Sequence, residues 1–311
     1  MIFQIASQID EISSDQINSE NITVGIVAPN ELQSFYNKLG FPPASVSECM
    51  NQTTKYRNYM EVYEGLSFGI LNLLKVQDVF GERTRLGFFI KHNLFLIVSI
   101  EDKSQFAMHC FEEALERTHG AVITLEKIIY FFFERLFAGD SIALETMDYQ
   151  ISLLEDEIAT KELDEHFYLE LLNRRKVLLI LRNYYEQLID IGQALSENEN
   201  DIFKEERLRY FKLFTDKMRR LSNNSQLMRD NLVQIREAYQ ALLDYNLNSN
   251  MKMFTLVTIV FLPLTLLVGW YGMNFTSMPE LTWQYGYYFV IGLTVLVITT
   301  CVIIFKKKNL L

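Results

Sequence analysis

Proline and glycine are scarce through the middle of this 311-residue chain. No proline lies between Pro43 and Pro263, and the glycines of residues 104–262 are Gly120, Gly139 and Gly192. Both residue types disfavour the interior of a helix, so their scarcity predicts long helices that are interrupted near those glycines.

Cysteine is scarce as well. Cys49, Cys110 and Cys301 lie far apart, which excludes a disulfide framework and the close ligand spacing of a zinc site. We expect reduced thiols in a cytosolic domain. The first residues contain no basic segment followed by a sustained apolar run, so no signal peptide is predicted.

Basic residues are fewer than acidic ones. The chain has 29 Lys and Arg against 39 Asp and Glu, which gives a formal net charge of -10. The basic residues form only short clusters, at 174–176 and 306–308. No nucleic-acid partner is predicted, and an acidic surface favours cations as partners.

Signatures of catalysis are missing too. His109 and Cys110 are adjacent and therefore point to different sides of a helix, so they cannot form a Cys/His pair. No phosphate-binding glycine loop or zinc-type cluster occurs. We predict that the protein is not an enzyme.

The first part of the chain is typical of a small α/β domain. Short apolar segments rich in Val, Ile and Phe alternate with polar turns at 23–27, 66–74, 86–90 and 94–100, which predicts a mixed sheet. Residues 31–39 place Leu32, Phe35 and Tyr36 on one helical face, and Pro42-Pro43 closes that predicted helix.

Residues 104–200 form a region that we predict to be helical and acidic, with a helical pair over 141–190. Its acidic residues are Glu155, Asp156, Glu157, Glu162, Asp164 and Glu165. Two interpretations are open, a solvated helix face and a rim that attracts cations to a pore entrance.

A single helix is predicted from about residue 201 to 271, roughly 105 Å at 1.5 Å per residue. Its apolar residues step by threes and fours, interrupted only by Ser225: Phe211, Phe214, Met218, Leu221, Met228, Leu232, Ile235, Tyr239 and Leu242. The stripe fits packing within one subunit or a stalk of equivalent helices from several chains, in which Ser225 would mark a polar layer.

Two apolar segments, 254–271 and 285–305, approach the ~20 residues that span a bilayer. Lys252 precedes the first and Lys306 to Lys308 follow the second, whereas the intervening loop 272–284 has Glu280 and no Lys or Arg. Positive charge marks the cytosolic side, so we expect both termini in the cytosol. Trp and Tyr residues at the outer boundary fit an aromatic belt.

The segment Gly272-Met273-Asn274 lies where the first apolar run ends, at the expected mouth of a pore. It resembles the Gly-Met-Asn signature of CorA-type magnesium/cobalt transport proteins. Leu262-Pro263-Leu264-Thr265, Met278-Pro279-Glu280-Leu281 and Phe305-Lys306-Lys307-Lys308 fit the same family. The resemblance implies a funnel-shaped homopentamer with a cytosolic α/β domain (1–103), long helices (104–200), a stalk helix (201–253), two C-terminal transmembrane helices and a basic tail (306–311).

The resemblance also implies a divalent-cation channel in the cell membrane, with Mg²⁺ influx as the leading function and Co²⁺ or Ni²⁺ as further cargo. Mg²⁺ holds its waters tightly, and the amide oxygen of Asn274 suits a filter that reads the hydrated ion. Glu280, repeated around a symmetric mouth, would concentrate cations there.

If the first span is the inner helix, its pore-lining positions follow by steps of three and four from Gly269: Thr265, Leu262, Thr258, Phe254, Met251 and Asn248. The family places pore-facing residues at the positions matching Asn248, Met251, Leu262 and Thr265, and Phe254 is bulkier than the expected aliphatic residue.

Gating departs from the best-known family members, in which stalk and interface aspartates bind Mg²⁺ and hold the pore closed. The matching stalk position is Leu213, which cannot ligate Mg²⁺. We hypothesise that Mg²⁺ regulates through other acidic residues, with Asp216, Glu155 and Glu165 as candidates.

Two other functions are open. A CorA relative could export Zn²⁺ or another transition metal, although no histidine lies near the membrane segments. The chain could also be a membrane-anchored coiled-coil scaffold.

Overall fold

The computed structural model describes residues 1–5, 9–17, 20–51, 57–118, 123–160, 165–273, 278 and 283–308, with the backbone alone at 159, 160 and 165. The chain divides into two compact units, Met1–Ile235 and Arg236–Leu311.

The first unit contains a seven-stranded mixed sheet, which confirms the predicted α/β fold. In chain order its strands are β1 (Ile2–Ile5), β2 (Ile9–Glu11), β3 (Ile22–Val27), β4 (Tyr59–Tyr63), β5 (Leu66–Leu73), β6 (Thr84–Lys91) and β7 (Leu94–Glu101). The spatial order is β2-β1-β3-β7-β6-β5-β4. Only the β3–β7 pair is parallel among these described strands.

Both faces of the sheet are covered. One packs against α1 (Pro29–Leu39) and α2 (Pro43–Met50), with Phe68 and Phe89 in the shared core. The other packs against α3 (Phe106–Glu116) and α4 (Leu125–Leu136), where the rings of Phe88 and Phe133 lie 5.7 Å apart. Adjacent strand residues point to opposite faces, so Phe88 and Phe89 serve different cores.

The prolines do more than close α1. Pro43 is the first residue of α2, because a proline is tolerated in the first turn, where its missing N–H would have no helical partner. The predicted α1 begins two residues earlier than expected, at Pro29.

The predicted helical pair is α5 (Asp140–Thr160) and α6 (Glu165–Glu197). Gly139 directly precedes α5, but the expected interruption at Gly192 is wrong, since this residue lies inside α6. A Cβ there would lie 2.4 Å from Thr215 Oγ1. The glycine therefore allows two helices to approach closely. Gly120 lies outside the described residues.

Helix α7 (Arg209–Tyr271) contains 63 residues and begins later than predicted, after a short 3₁₀ turn at Glu205–Arg207. Its apolar stripe from Phe211 to Ile235 is buried within the first unit of the same chain. A stalk of several chains that meet along this part of the stripe is therefore wrong. Ser225 is also buried, and its hydroxyl donates to the Leu221 carbonyl at 2.9 Å, so it needs no polar layer.

Candidate functional site

Two helices are long and apolar enough to cross a membrane, the C-terminal part of α7 and helix α8 (Gly286–Lys307). The predicted segment 254–271 lies inside α7. The segment 285–305 falls within α8 apart from its first residue, and α8 continues two residues further. Both stretches belong to the second unit.

The membrane part of α7 has two different faces. Leu256, Val260, Pro263, Leu264 and Leu267 are partly buried and lie at helical spacing. The predicted pore-lining residues are all exposed: Asn248, Met251, Phe254, Thr258, Leu262, Thr265 and Gly269. At 3.6 residues per turn the centres of these two sets lie on opposite sides of the helix. The flanking residues between the two sets are exposed as well: Val257, Ile259, Phe261, Leu266, Val268 and Trp270. We call the predicted pore-lining set the outer stripe.

The outer stripe carries large, exposed apolar side chains among its polar ones. Phe254 is 68% exposed and Leu262 is 65% exposed. Thr258, Leu262, Thr265 and Gly269 line a groove of about 800 Å³ together with neighbours that include Trp270 and Met273. Large apolar side chains in such a continuous patch mark a surface that contacts something other than water.

Thr258, Thr265 and Asn248 supply the polar side-chain atoms of the outer stripe. The Thr258 hydroxyl donates to the Phe254 carbonyl at 2.8 Å, and the Thr265 hydroxyl donates to the Phe261 carbonyl at 2.8 Å. Each hydroxyl has one proton and two lone pairs. Its proton is thus committed to the helix, while its oxygen remains able to accept a hydrogen bond from water.

Pro263 lies inside α7 without ending it. A proline has no N–H, so the Ile259 carbonyl, four residues earlier, loses its helical donor. This carbonyl adds an acceptor in the middle of the membrane segment.

The end of α7 requires a glycine. Gly272 N–H donates to the Val268 carbonyl at 2.9 Å, and a Cβ on Gly272 would lie 2.8 Å from that same oxygen. Met273 follows and is exposed. Asn274, the principal predicted filter residue, and Glu280 lie outside the described residues.

The candidate regulatory acids lie in the first unit. Asp216 is exposed and its Oδ1 lies 3.4 Å from Arg219 Nη1. Glu155 is exposed on α5, and Glu165 is the first residue of α6, with its side chain outside the description. Within the described ranges, no group of three or more His, Cys, Asp or Glu could hold a metal ion. Leu213 is 52% exposed.

A hydrogen bond between Tyr185 and Asp140 was not predicted from the sequence. Tyr185 Oη donates to Asp140 Oδ2 at 3.0 Å. Burial raises the pKa of Asp140 to about 6, against the smaller opposing effects of the Tyr185 hydrogen bond and the Lys217 charge. Burial likewise lowers the pKa of Lys217. The only sequence signal was Gly139-Asp140 as a helix start, since Tyr185 is 45 residues away.

Comparison with known proteins identifies the family. The profile of the family described as "CorA-like Mg2+ transporter protein" matches residues 22–307. The chain belongs to this family. It is therefore a membrane protein that transports divalent cations, and the prediction that it is not an enzyme is confirmed by this membership.

Curated CorA proteins are similar over much of the chain. The cobalt/magnesium transport protein CorA of Thermotoga maritima is 24% identical over 293 residues, covering 93% of this chain and 82% of that protein. The magnesium transport protein CorA of Helicobacter pylori is 33% identical over 182 residues, 57% of this chain and 56% of its own.

A solved structure shares the fold. The complete CorA magnesium transporter of Methanocaldococcus jannaschii superposes with a TM-score of 0.78 at 20% identity, covering 98% of this chain and 96% of that chain. The CorA fold, with an α/β domain, a long helix and two C-terminal apolar helices, is thus the fold of this protein.

Proposed function

We propose that this protein is a homopentameric channel that carries Mg²⁺ into the cell down its electrochemical gradient. The outer stripe of α7 lines the pore, and Gly272-Met273-Asn274 forms the ring at its outer mouth. Co²⁺ and Ni²⁺ are further candidate cargo. The relatives named above for magnesium or cobalt transport support this choice of ion.

The observation that carries the proposal is the outer stripe itself. Its predicted pore-lining residues lie together on one exposed face, opposite the partly buried face of the same helix. A single helix cannot enclose an ion. Equivalent faces from several copies around an axis would enclose one, and would cover the exposed Phe254 and Leu262 at the same time.

The chemistry of the stripe suits a hydrated cation. First-shell waters of Mg²⁺ point their protons outward and are held tightly. Thr258 and Thr265 offer oxygen lone pairs to those protons, because their own protons are already bonded to the helix. The Asn274 amide oxygen does the same at the mouth, without the deep trap that a ring of carboxylates would make.

The basic residues at the ends of the two spans favour one orientation. Lys252 and Lys306 to Lys308 support an orientation with both termini in the cytosol and the loop 272–284 outside the cell. Glu280 would then raise the local concentration of cations at the mouth.

Regulation by internal Mg²⁺ would act through the acidic residues of α5 and α6 near Glu155 and Glu165, with Asp216 as a further ligand. Flux that stays unchanged between micromolar and millimolar internal Mg²⁺ would remove this part of the proposal.

The decisive experiment replaces the filter amide. We expect Asn274→Ala to abolish Mg²⁺ uptake into proteoliposomes that contain a fluorescent Mg²⁺ indicator, because the hydrated ion loses its ring of acceptors. Gln284→Ala is the matched control, since it removes an exposed amide near the same loop, and it should retain uptake.

Wild-type uptake by Asn274→Ala would reject the filter role of Asn274. The same vesicles loaded with Zn²⁺ test the alternative cargo. Proton-dependent Zn²⁺ flux without Mg²⁺ flux would replace the proposed function by transition-metal transport.

A further inference from the structure

The first unit contains a cavity of about 630 Å³ that the transport function leaves unexplained. Three parts of the chain surround it. They are the end of β5 together with the residues that follow β5, helix α3, and the turn from α4 to α5. Its volume is in the range of small-molecule sites, which run from about 300 to 1,000 Å³.

The cavity has an apolar interior. Leu74, Val76, Cys110, Leu136 and Ala143 line it and are buried in the first unit. Phe106 also lines it and is 39% exposed. An apolar body of a few carbon atoms would therefore find a ready contact surface.

A second, polar depression of about 400 Å³ adjoins this interior, and we call it the shelf. It shares Lys75, Glu82, Thr84 and Ser104 with the cavity. Its remaining charged residues are Arg83, Glu101 and Lys103, so three cations face two carboxylates on a chain with a net charge of -10. Glu82 Oε1 is already bound by Lys103 Nζ at 2.7 Å.

Arg135 in the cavity lining is already engaged in an ion pair. Its Nη2 pairs with Glu113, which also lines the cavity. Lys75 and the Thr84 hydroxyl can donate to an acceptor-rich anion, whereas the Ser104 hydroxyl already donates to Asp102 Oδ1 at 3.4 Å.

We propose that this cavity binds a small amphipathic anion, with its apolar body against Leu74 and Leu136 and its phosphate or carboxylate group at the junction with the shelf, near Lys75. Asp140 also lines the cavity. Its carboxyl group disfavours a second negative charge nearby, whereas Glu82 at the Lys75 end is already paired with Lys103, so the anionic group is assigned to the Lys75 end.

Isothermal titration calorimetry on the full chain in lipid nanodiscs tests the ligand class, with empty nanodiscs as the blank. The probes are hexyl phosphate, hexanoate, hexylammonium and hexanol. We expect the anions to bind at least about 10-fold more tightly than hexylammonium, because charge-assisted hydrogen bonds are the strong ones. The tighter of the two anions identifies the head group. Binding of hexylammonium that equals or exceeds both anions overturns the proposal.

Substitutions in the cavity lining, each with a matched control, test where the anion binds. Lys75→Ala should weaken anion binding by about 5-fold or more through loss of a charged donor, whereas Lys38→Ala, an exposed lysine paired with Asp15, should leave it unchanged. Ala138 is an exposed residue of the lining, so Ala138→Phe should block binding and Ala138→Ser should not. Asp140→Asn should preserve or strengthen anion binding.

Thiol protection gives an independent readout. Hexyl phosphate should slow alkylation of Cys110 by N-ethylmaleimide, followed by peptide mass spectrometry, and should leave Cys49 unaffected because Cys49 does not line the cavity. Equal protection of both thiols, or none at Cys110, would show that the cavity is not the site.

Discussion

A single carboxyl group, that of Asp140, gives the stability of the first unit a dependence on pH. Its pKa is raised to about 6 from 3.8 because burial disfavours the charged form. The unfolded chain releases this proton near the ordinary value, while the folded protein keeps it until higher pH. The free energy of unfolding therefore falls as pH rises from about 4 to about 6, and the loss is complete above that range.

Asp140→Asn should remove the decrease in the free energy of unfolding with pH, because the amide does not ionise. Its oxygen still accepts the hydrogen bond from the Tyr185 hydroxyl. We expect the variant to gain about 1–2 kcal/mol over the wild type between pH 4.5 and 7.5, allowing for partial solvent screening. Melting temperatures from circular dichroism at the two pH values measure this gain. Asp148→Asn, at an exposed position on the same helix, is the control, and an equal gain in both variants would contradict the assignment.

The role of Asp140 could not be predicted from sequence, for a physical reason. Its pKa depends on burial beside Tyr185, and the two residues are brought together by the packing of α5 against α6 across 45 positions. The outer stripe of α7 could be predicted, since its residues lie on one helix and helical spacing alone defines a face.

At the scale of elements, the close approach of α6 and α7 depends on Gly192. A Cβ at this position would meet Thr215 Oγ1 at 2.4 Å and Phe214 Cδ1 at 3.0 Å. Gly192→Ala must push the helices apart, and overpacking of this kind costs about 1–3 kcal/mol.

The melting temperature of Gly192→Ala should therefore fall by several degrees, at about 2–4 °C per kcal/mol for a domain of this size. Gln193→Ala, at the exposed neighbouring position of the same helix, should change it little. A Gly192→Ala protein as stable as the wild type would mean that α6 and α7 are less closely packed than described.

The strands and the stripe of α7 show which elements a sequence can predict. The strands β3, β5, β6 and β7 were predicted to within two residues, because compact apolar runs bounded by turns have few other structures. The partner of the stripe from Phe211 to Ile235 could not be predicted, and two alternatives were left open. Apolar residues at a spacing of three and four show that one face of a helix is buried. The spacing is identical whether that face packs against α4 and α6 or against another chain.

At the scale of the whole molecule, the proposed pore makes a prediction about neighbouring copies. If the outer stripes surround one axis, Leu262 of each chain lies near its equivalents. Leu262→Cys in a Cys301→Ser background should then form disulfide-linked dimers under mild oxidation, detected on non-reducing gels.

Val260→Cys in the same background is the matched control, since Val260 lies on the partly buried face of α7. We expect no crosslink from it. Crosslinking at both positions, or only at 260, would mean that the outer stripe does not face an axis shared by the copies. Lysine-reactive crosslinking of the wild type should give a ladder that ends at five chains.

The hydroxyl protons of Thr258 and Thr265 are hydrogen-bonded within the helix, which has a consequence for the sign of the transported charge. Each water around a hydrated chloride ion points one proton at the ion, so its oxygen lone pairs face outward and are best satisfied by donors. The threonines of the stripe, whose protons are bonded to Phe254 and Phe261, offer only acceptors. At these two positions, a pore lined by this face would favour hydrated cations over hydrated anions without any fixed negative charge there.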